Sequence, residues 1–80
     1  MSLLLAMPVQ AATLADRDGC AASADKPEVG GSACSRIIDD ASESVAARVE
    51  AFKNRGRGSF NRKEFDRAIA DYGEAISTEH

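Results

Sequence analysis

The sequence has no tryptophan, one histidine, two cysteines and two prolines, and Phe52, Phe60, Phe65 and Tyr72 are its only aromatics. So few large side chains build a thin core, and a chain of 80 residues buries only roughly 60% of its unfolded surface. Chains of this size usually need a crosslink, a metal or a partner. The single imidazole, His80, is the last residue, which argues against a Cys/His zinc site and against a Ser–His–acid arrangement. Cys20 and Cys34 lack the CxxC spacing of a redox pair. Gly30-Gly31 has no following Lys-Ser/Thr and no preceding strand, so it is not a phosphate loop. Asp39 and Asp40 are the obvious carboxylate pair, but adjacent helical residues do not face each other. Catalysis is therefore not expected, and no cofactor is implied. No apolar run approaches the roughly 20 residues of a membrane span, and no segment alternates like a half-buried strand.

The residues present are those of a small helical protein, rich in alanine and with a net charge of −3. Charge is unevenly spread. Arg48, Lys53, Arg55, Arg57, Arg62, Lys63 and Arg67 lie within twenty positions. Glu50, Glu64 and Asp66 sit among them and dilute the field, so a nucleic-acid surface is not expected.

Residues 1–11 begin with the apolar stretch Leu3–Met7, broken by Pro8. Val9 and Ala11 stand where a signal peptidase wants small residues. A short secretory signal is one reading, although no basic residue lies near Met1. An apolar turn packing on the domain is the other. The first implies a periplasmic or secreted protein, the second a cytoplasmic one.

Residues 12–31 are polar and rich in Gly, Ser and Asp, which predicts irregular structure with at most a turn near Cys20. Val29, Ala33, Cys34, Ile37, Ile38 and Ala41 then recur at helical spacing. Because each Gly costs roughly 1 kcal/mol against Ala in a helix, Gly30-Gly31 predicts a start at Ser32 and a short helix over 32–41. Asp40 or Ser42 offers an N-cap for the next element. Residues 43–80 read as a hairpin. Its first helix places Val45, Val49, Phe52, Gly56 and Ser59/Phe60 on one stripe. A tight turn follows at Asn61-Arg62-Lys63. The second helix places Phe65, Ala68, Ile69, Tyr72, Ala75 and Ile76 on one apolar face, with Arg67, Asp71 and Glu74 outside. The fold class is all-α: a helical hairpin preceded by a short helix and an irregular N-terminal segment.

In an exported chain an even cysteine count reads as a disulfide, here Cys20–Cys34. In the cytosol Cys34 would be a small buried apolar residue and Cys20 a free thiol.

Phe52, Gly56, Ala68, Tyr72 and Ala75 follow one another at spacings of 4, 12, 4 and 3. In that order the hairpin resembles a tetratricopeptide repeat, with Phe65 at a further aromatic position. Asn54-Arg55-Gly56 and the run from Phe65 to Tyr72 look like repeats of bacterial members. Arg55 stands where Leu is usual, Ser59 where Tyr is usual and Lys63 where a turn Gly is usual. The stretch Ala33–Ile38 looks like the second helix of a preceding, degenerate repeat, as exported members often have.

The resemblance implies protein binding, with a peptide or partner helix lying against the first helix of the hairpin. Glu50, Lys53, Arg57, Phe60 and Asn61 would face it, and Lys53 and Arg57 suit an acidic segment. A solvated helix face is the plainer reading of those charges. One repeat cannot bury its apolar side alone. A further repeat or capping helix is therefore expected to follow, or the open face closes by homodimerisation.

Overall fold

A computed structural model describes residues 11–79. The segment read as a secretory signal lies outside the described residues but for Ala11, and so does His80. Four helices follow one another: α1 (Leu14–Ala21), α2 (Pro27–Asp39), α3 (Val45–Asn61) and α4 (Phe65–Glu79). Among the described residues there is no strand, and the fold is all-α.

Where irregular structure is expected, over 12–31, the chain forms α1 and the first turn of α2. Thr13 is the reason for α1. Its hydroxyl accepts from the Asp16 amide at 3.1 Å, and the Asp16 carboxylate accepts from the Thr13 amide at 3.0 Å. This reciprocal box satisfies two otherwise orphaned N–H groups. Asp16 also accepts from Arg36 Nε on α2, at 2.7 Å. The Cys20–Cys34 disulfide then joins α1 to α2, with both cysteines buried.

α2 begins at Pro27 rather than Ser32. Proline at the first helical position has its φ preset and lacks only an N–H that would be orphaned anyway. Gly30 does not delay the helix, because the turn between α1 and α2 requires it. A Cβ there would stand 2.5 Å from Ser23 Cα. A Cβ on Gly31 would meet nothing within 4 Å.

The N-cap of α3 is Ser44, whose hydroxyl accepts from the Ala47 amide at 3.0 Å, and neither Asp40 nor Ser42. The Asp40 carboxylate is occupied elsewhere: it accepts from the amides of Ala12 (2.8 Å) and Ser42 (2.9 Å) and from the Ser42 hydroxyl (2.6 Å). It thereby ties the start of the described chain to the α2–α3 junction. Between α3 and α4, Lys63 adopts φ 64°, the left-handed conformation that a turn glycine would take without strain.

Sequential helices pack as neighbours, with α3 in the centre. The α3 backbone lies against α1, α2 and α4, whereas the α4 backbone lies against α3 alone. The contacts are made by small residues. Cys20, Ala33, Cys34, Ile37 and Ala51 form the main cluster, and Val49 of α3 and Ala68 and Ala75 of α4 are buried as well. Gly58 backs onto the α1–α2 turn, where a Cβ would stand 2.8 Å from the Ser23 carbonyl oxygen. Gly56 faces Tyr72, where a Cβ would stand 3.0 Å from the ring.

The apolar face of α4 is only half covered: Ala68 and Ala75 are buried, while Phe65, Ile69 and Ile76 are exposed at 49%, 68% and 61%. Asp71 is not on the wet side. It is 8% exposed because Arg55 draws it into the α3–α4 seam.

Candidate functional site

One turn of α3 separates Lys53 from Arg57, so the two cations share a side of the helix with Glu50. Glu50 and Arg57 are exposed and Lys53 is half-buried. Lys53 Nζ meets Glu50 Oε2 at 3.0 Å, and Arg57 Nη1 donates to Asn54 Oδ1 at 3.0 Å. Both contacts are local and leave the stripe open to solvent. The other two residues expected in this set do different work. Asn61 Nδ2 donates to the Ala24 carbonyl oxygen at 2.9 Å, fixing the end of α3 to the α1–α2 turn. Phe60 meets Phe65 edge to face, with ring centroids 5.3 Å apart. The cationic positions thus lie together, Asn61 is a structural tie, and Phe60 extends the apolar surface of α4.

Of the remaining residues of the hairpin signature, Gly56 lies against Tyr72 across the two helices. Gly56, Ala68 and Ala75 are buried, and Phe52 and Tyr72 are half-buried. Phe65 is the exception, at the exposed start of α4.

On another side of α3 lies an unexpected polar cluster. Arg55 donates from Nε and Nη2 to the two oxygens of Asp71, at 3.0 and 2.8 Å, and from Nη1 to Ser35 Oγ at 2.9 Å. Its guanidinium also lies 5.7 Å from the centre of the Phe52 ring. The hydrogen bonds to Asp71 raise the Arg55 pKa above its usual value. The available signal was an arginine on α3 sixteen residues before an acid in the helix opposite.

This cluster floors an open trough of about 580 Å³ between α2 and α4, with Ser32 and Ser35 on one wall and Arg62 and Arg67 near the other. Its charges satisfy one another. Arg62 lies 3.4 Å from Glu64 and 3.9 Å from Glu28, and Arg67 lies 3.9 Å from Glu64. Among the described residues no three His, Cys, Asp or Glu side chains gather as metal ligands. No described helix is long and apolar enough to cross a membrane. The buried Cys20–Cys34 disulfide is compatible with an oxidising compartment.

Compared with known proteins, the chain matches no protein-family model, no curated protein and no solved structure.

Proposed function

We propose that this chain is a protein-interaction module of the tetratricopeptide type, without catalysis, that takes a peptide or partner helix of acidic character against the exposed side of α3. The observation that supports it is the pairing of α3 with α4 through small residues. Gly56, Ala68 and Ala75 are buried between the helices, while Glu50, Lys53 and Arg57 stay accessible on the side of α3 turned away from Arg55 and Asp71. Lys53 and Arg57 give two cations one helical turn apart, a spacing that suits successive carboxylates of an extended or helical segment. Asn61 and its bond to Ala24 stiffen the end of this surface, which reduces the ordering cost of binding. The disulfide supports export to the periplasm or the exterior as the working environment.

The test is a titration of the isotope-labelled, oxidised chain with a synthetic peptide of alternating Glu and Leu, followed by amide shifts. Shifts gathered on residues 50–57, lost in a Lys53→Glu/Arg57→Glu variant, support the reading. If no amide of α3 moves at millimolar peptide, the proposed surface is wrong.

The alternative, a capping piece of a longer solenoid or a self-associating structural protein, is favoured by a separate observation, the exposed apolar side of α4.

A further inference from the structure

The exposed apolar residues of α4 are ordered in a way that suits a second copy of the same helix. Phe65, Ile69, Tyr72 and Ile76 lie at spacings of 4, 3 and 4, and this series reads the same from either end. Tyr72 is half-buried, one side of its ring against Gly56, and the other three are exposed. Alternating spacings of 3 and 4 define a continuous seam along one side of a helix. In two antiparallel copies of α4 centred between residues 70 and 71, Phe65 stands opposite Ile76 and Ile69 opposite Tyr72, at both ends. Gly73 lies at the edge of the seam with nothing within 4 Å of where a Cβ would be, so no side chain there holds a neighbour off. Phe60, against Phe65, widens the surface at its basic end.

Charge selects the same orientation. Residues 62–67 contain Arg62, Lys63 and Arg67 against Glu64 and Asp66, whereas residues 74–79 contain Glu74 and Glu79 without a basic residue. Antiparallel copies bring the basic end to the acidic end, and Lys63 within reach of Glu79 of the second copy. Parallel copies would place like on like. The helix dipoles favour the antiparallel arrangement too.

We propose that the chain self-associates through α4 as an antiparallel, twofold-symmetric dimer. This goes beyond peptide binding on α3 and uses a different surface. A helix of 15 residues is about 22 Å long, and such a pair falls short of the roughly 1,600 Å² of a standard stable interface. The dimer is therefore reversible and concentration-dependent.

Sedimentation equilibrium of the oxidised full chain, from about 1 µM to 1 mM, tests this. The expected mass rises from one chain to two and no further. Ile69→Glu, on a side chain 68% exposed, should raise the dissociation constant at least tenfold and leave the dilute monomer's helical signal and melting unchanged. Lys63→Glu should weaken the dimer several-fold, and adding Glu79→Lys should restore it, because both pairs across the axis are then reversed. A single-chain mass throughout would overturn the proposal and leave the seam to a helix of another protein. Undiminished association of Ile69→Glu would overturn it, as would failure of the double reversal to recover the dimer. Arg57→Glu should leave the dimer intact whatever it does to peptide binding, so the two readings fail separately.

Discussion

Arg55 holds Asp71 by two hydrogen bonds across the α3–α4 seam and, with its remaining terminal nitrogen, reaches Ser35 on α2. One side chain therefore links three consecutive helices. In a protein whose core residues are mostly Ala, Gly and Cys, this polar fork fills space that larger apolar side chains would otherwise occupy.

Arg55→Leu should destabilise the fold by about 2 kcal/mol, because it strands a buried carboxylate rather than merely removing a contact. Asp71→Ala should be similarly damaging. The double variant Arg55→Leu/Asp71→Ala should recover much of the loss, since apolar replacement of a whole ion pair is often close to neutral. Urea melts of the four proteins form the cycle. Strictly additive losses would show that the two side chains are not coupled.

The two adjacent glycines of α2 should respond oppositely to the same substitution. Gly31→Ala is expected to stabilise by up to about 1 kcal/mol, since the site has open space and Ala is the better helix former. Gly30→Ala should destabilise in spite of that preference, because its Cβ would collide with the Ser23 backbone at 2.5 Å. Thermal melts of the single variants decide it. Equal shifts would mean that the α1–α2 turn does not pack against α2 as described.

Reduction of Cys20–Cys34 should lower stability by roughly 3 kcal/mol for a closed loop of about fifteen residues in the chain-entropy picture. The loss should appear first in α1, which the bond joins to α2. Amide exchange of α1 before and after reductant checks both points. Unchanged protection in α1 would show that Thr13, Asp16 and Arg36 suffice to hold it.

Acid should weaken the same end of the molecule. Hydrogen bonds from the Thr13 amide, then from Arg36, hold the Asp16 pKa below its ordinary 3.8. Those from the Ser42 hydroxyl, then from the amides of Ala12 and Ser42, do the same for Asp40. Each carboxylate is more acidic folded than unfolded, so its contribution is complete above the unfolded value and is lost as pH falls through the folded one. Melting temperature should therefore drop as pH is lowered below about 4, and less steeply in Asp16→Asn and Asp40→Asn. Parallel curves for parent and variants would remove these two groups as the cause.

The hairpin was legible in the sequence because its periodicity is long and its small residues are spaced for a close helix contact. The boundaries of α3 and α4 fall within about two residues of the expected ones. The disulfide was legible as a possibility that depended on export. The region before Ser32 was not legible, because its composition and its positions point different ways. Gly, Ser and Asp suggest loop when counted, yet Thr13 and Asp16 form a cap, Pro27 opens a helix, and Gly30 lets a turn approach. Each of these roles depends on a neighbour distant in the chain or on a single offset. The burial of Asp71 was not legible for a related reason: it follows from an arginine on another helix, and single-helix periodicity contains no record of that partner. On the candidate surface, Lys53 and Arg57 could be placed by spacing alone. The tie from Asn61 to Ala24 required the unexpected α1–α2 turn.

The position of α4, against α3 and no other helix, has a kinetic consequence. Its detachment breaks the α3–α4 seam with its Arg55–Asp71 pair, while the disulfide still holds α1 on α2, so the native state is expected to open in two units rather than one. Exchange rates should therefore grade along the chain, slowest around the half-cystines and fastest toward Glu79. A molecule arranged in this way keeps its disulfide-joined end together while the other is expected to sample its surroundings before the whole chain unfolds.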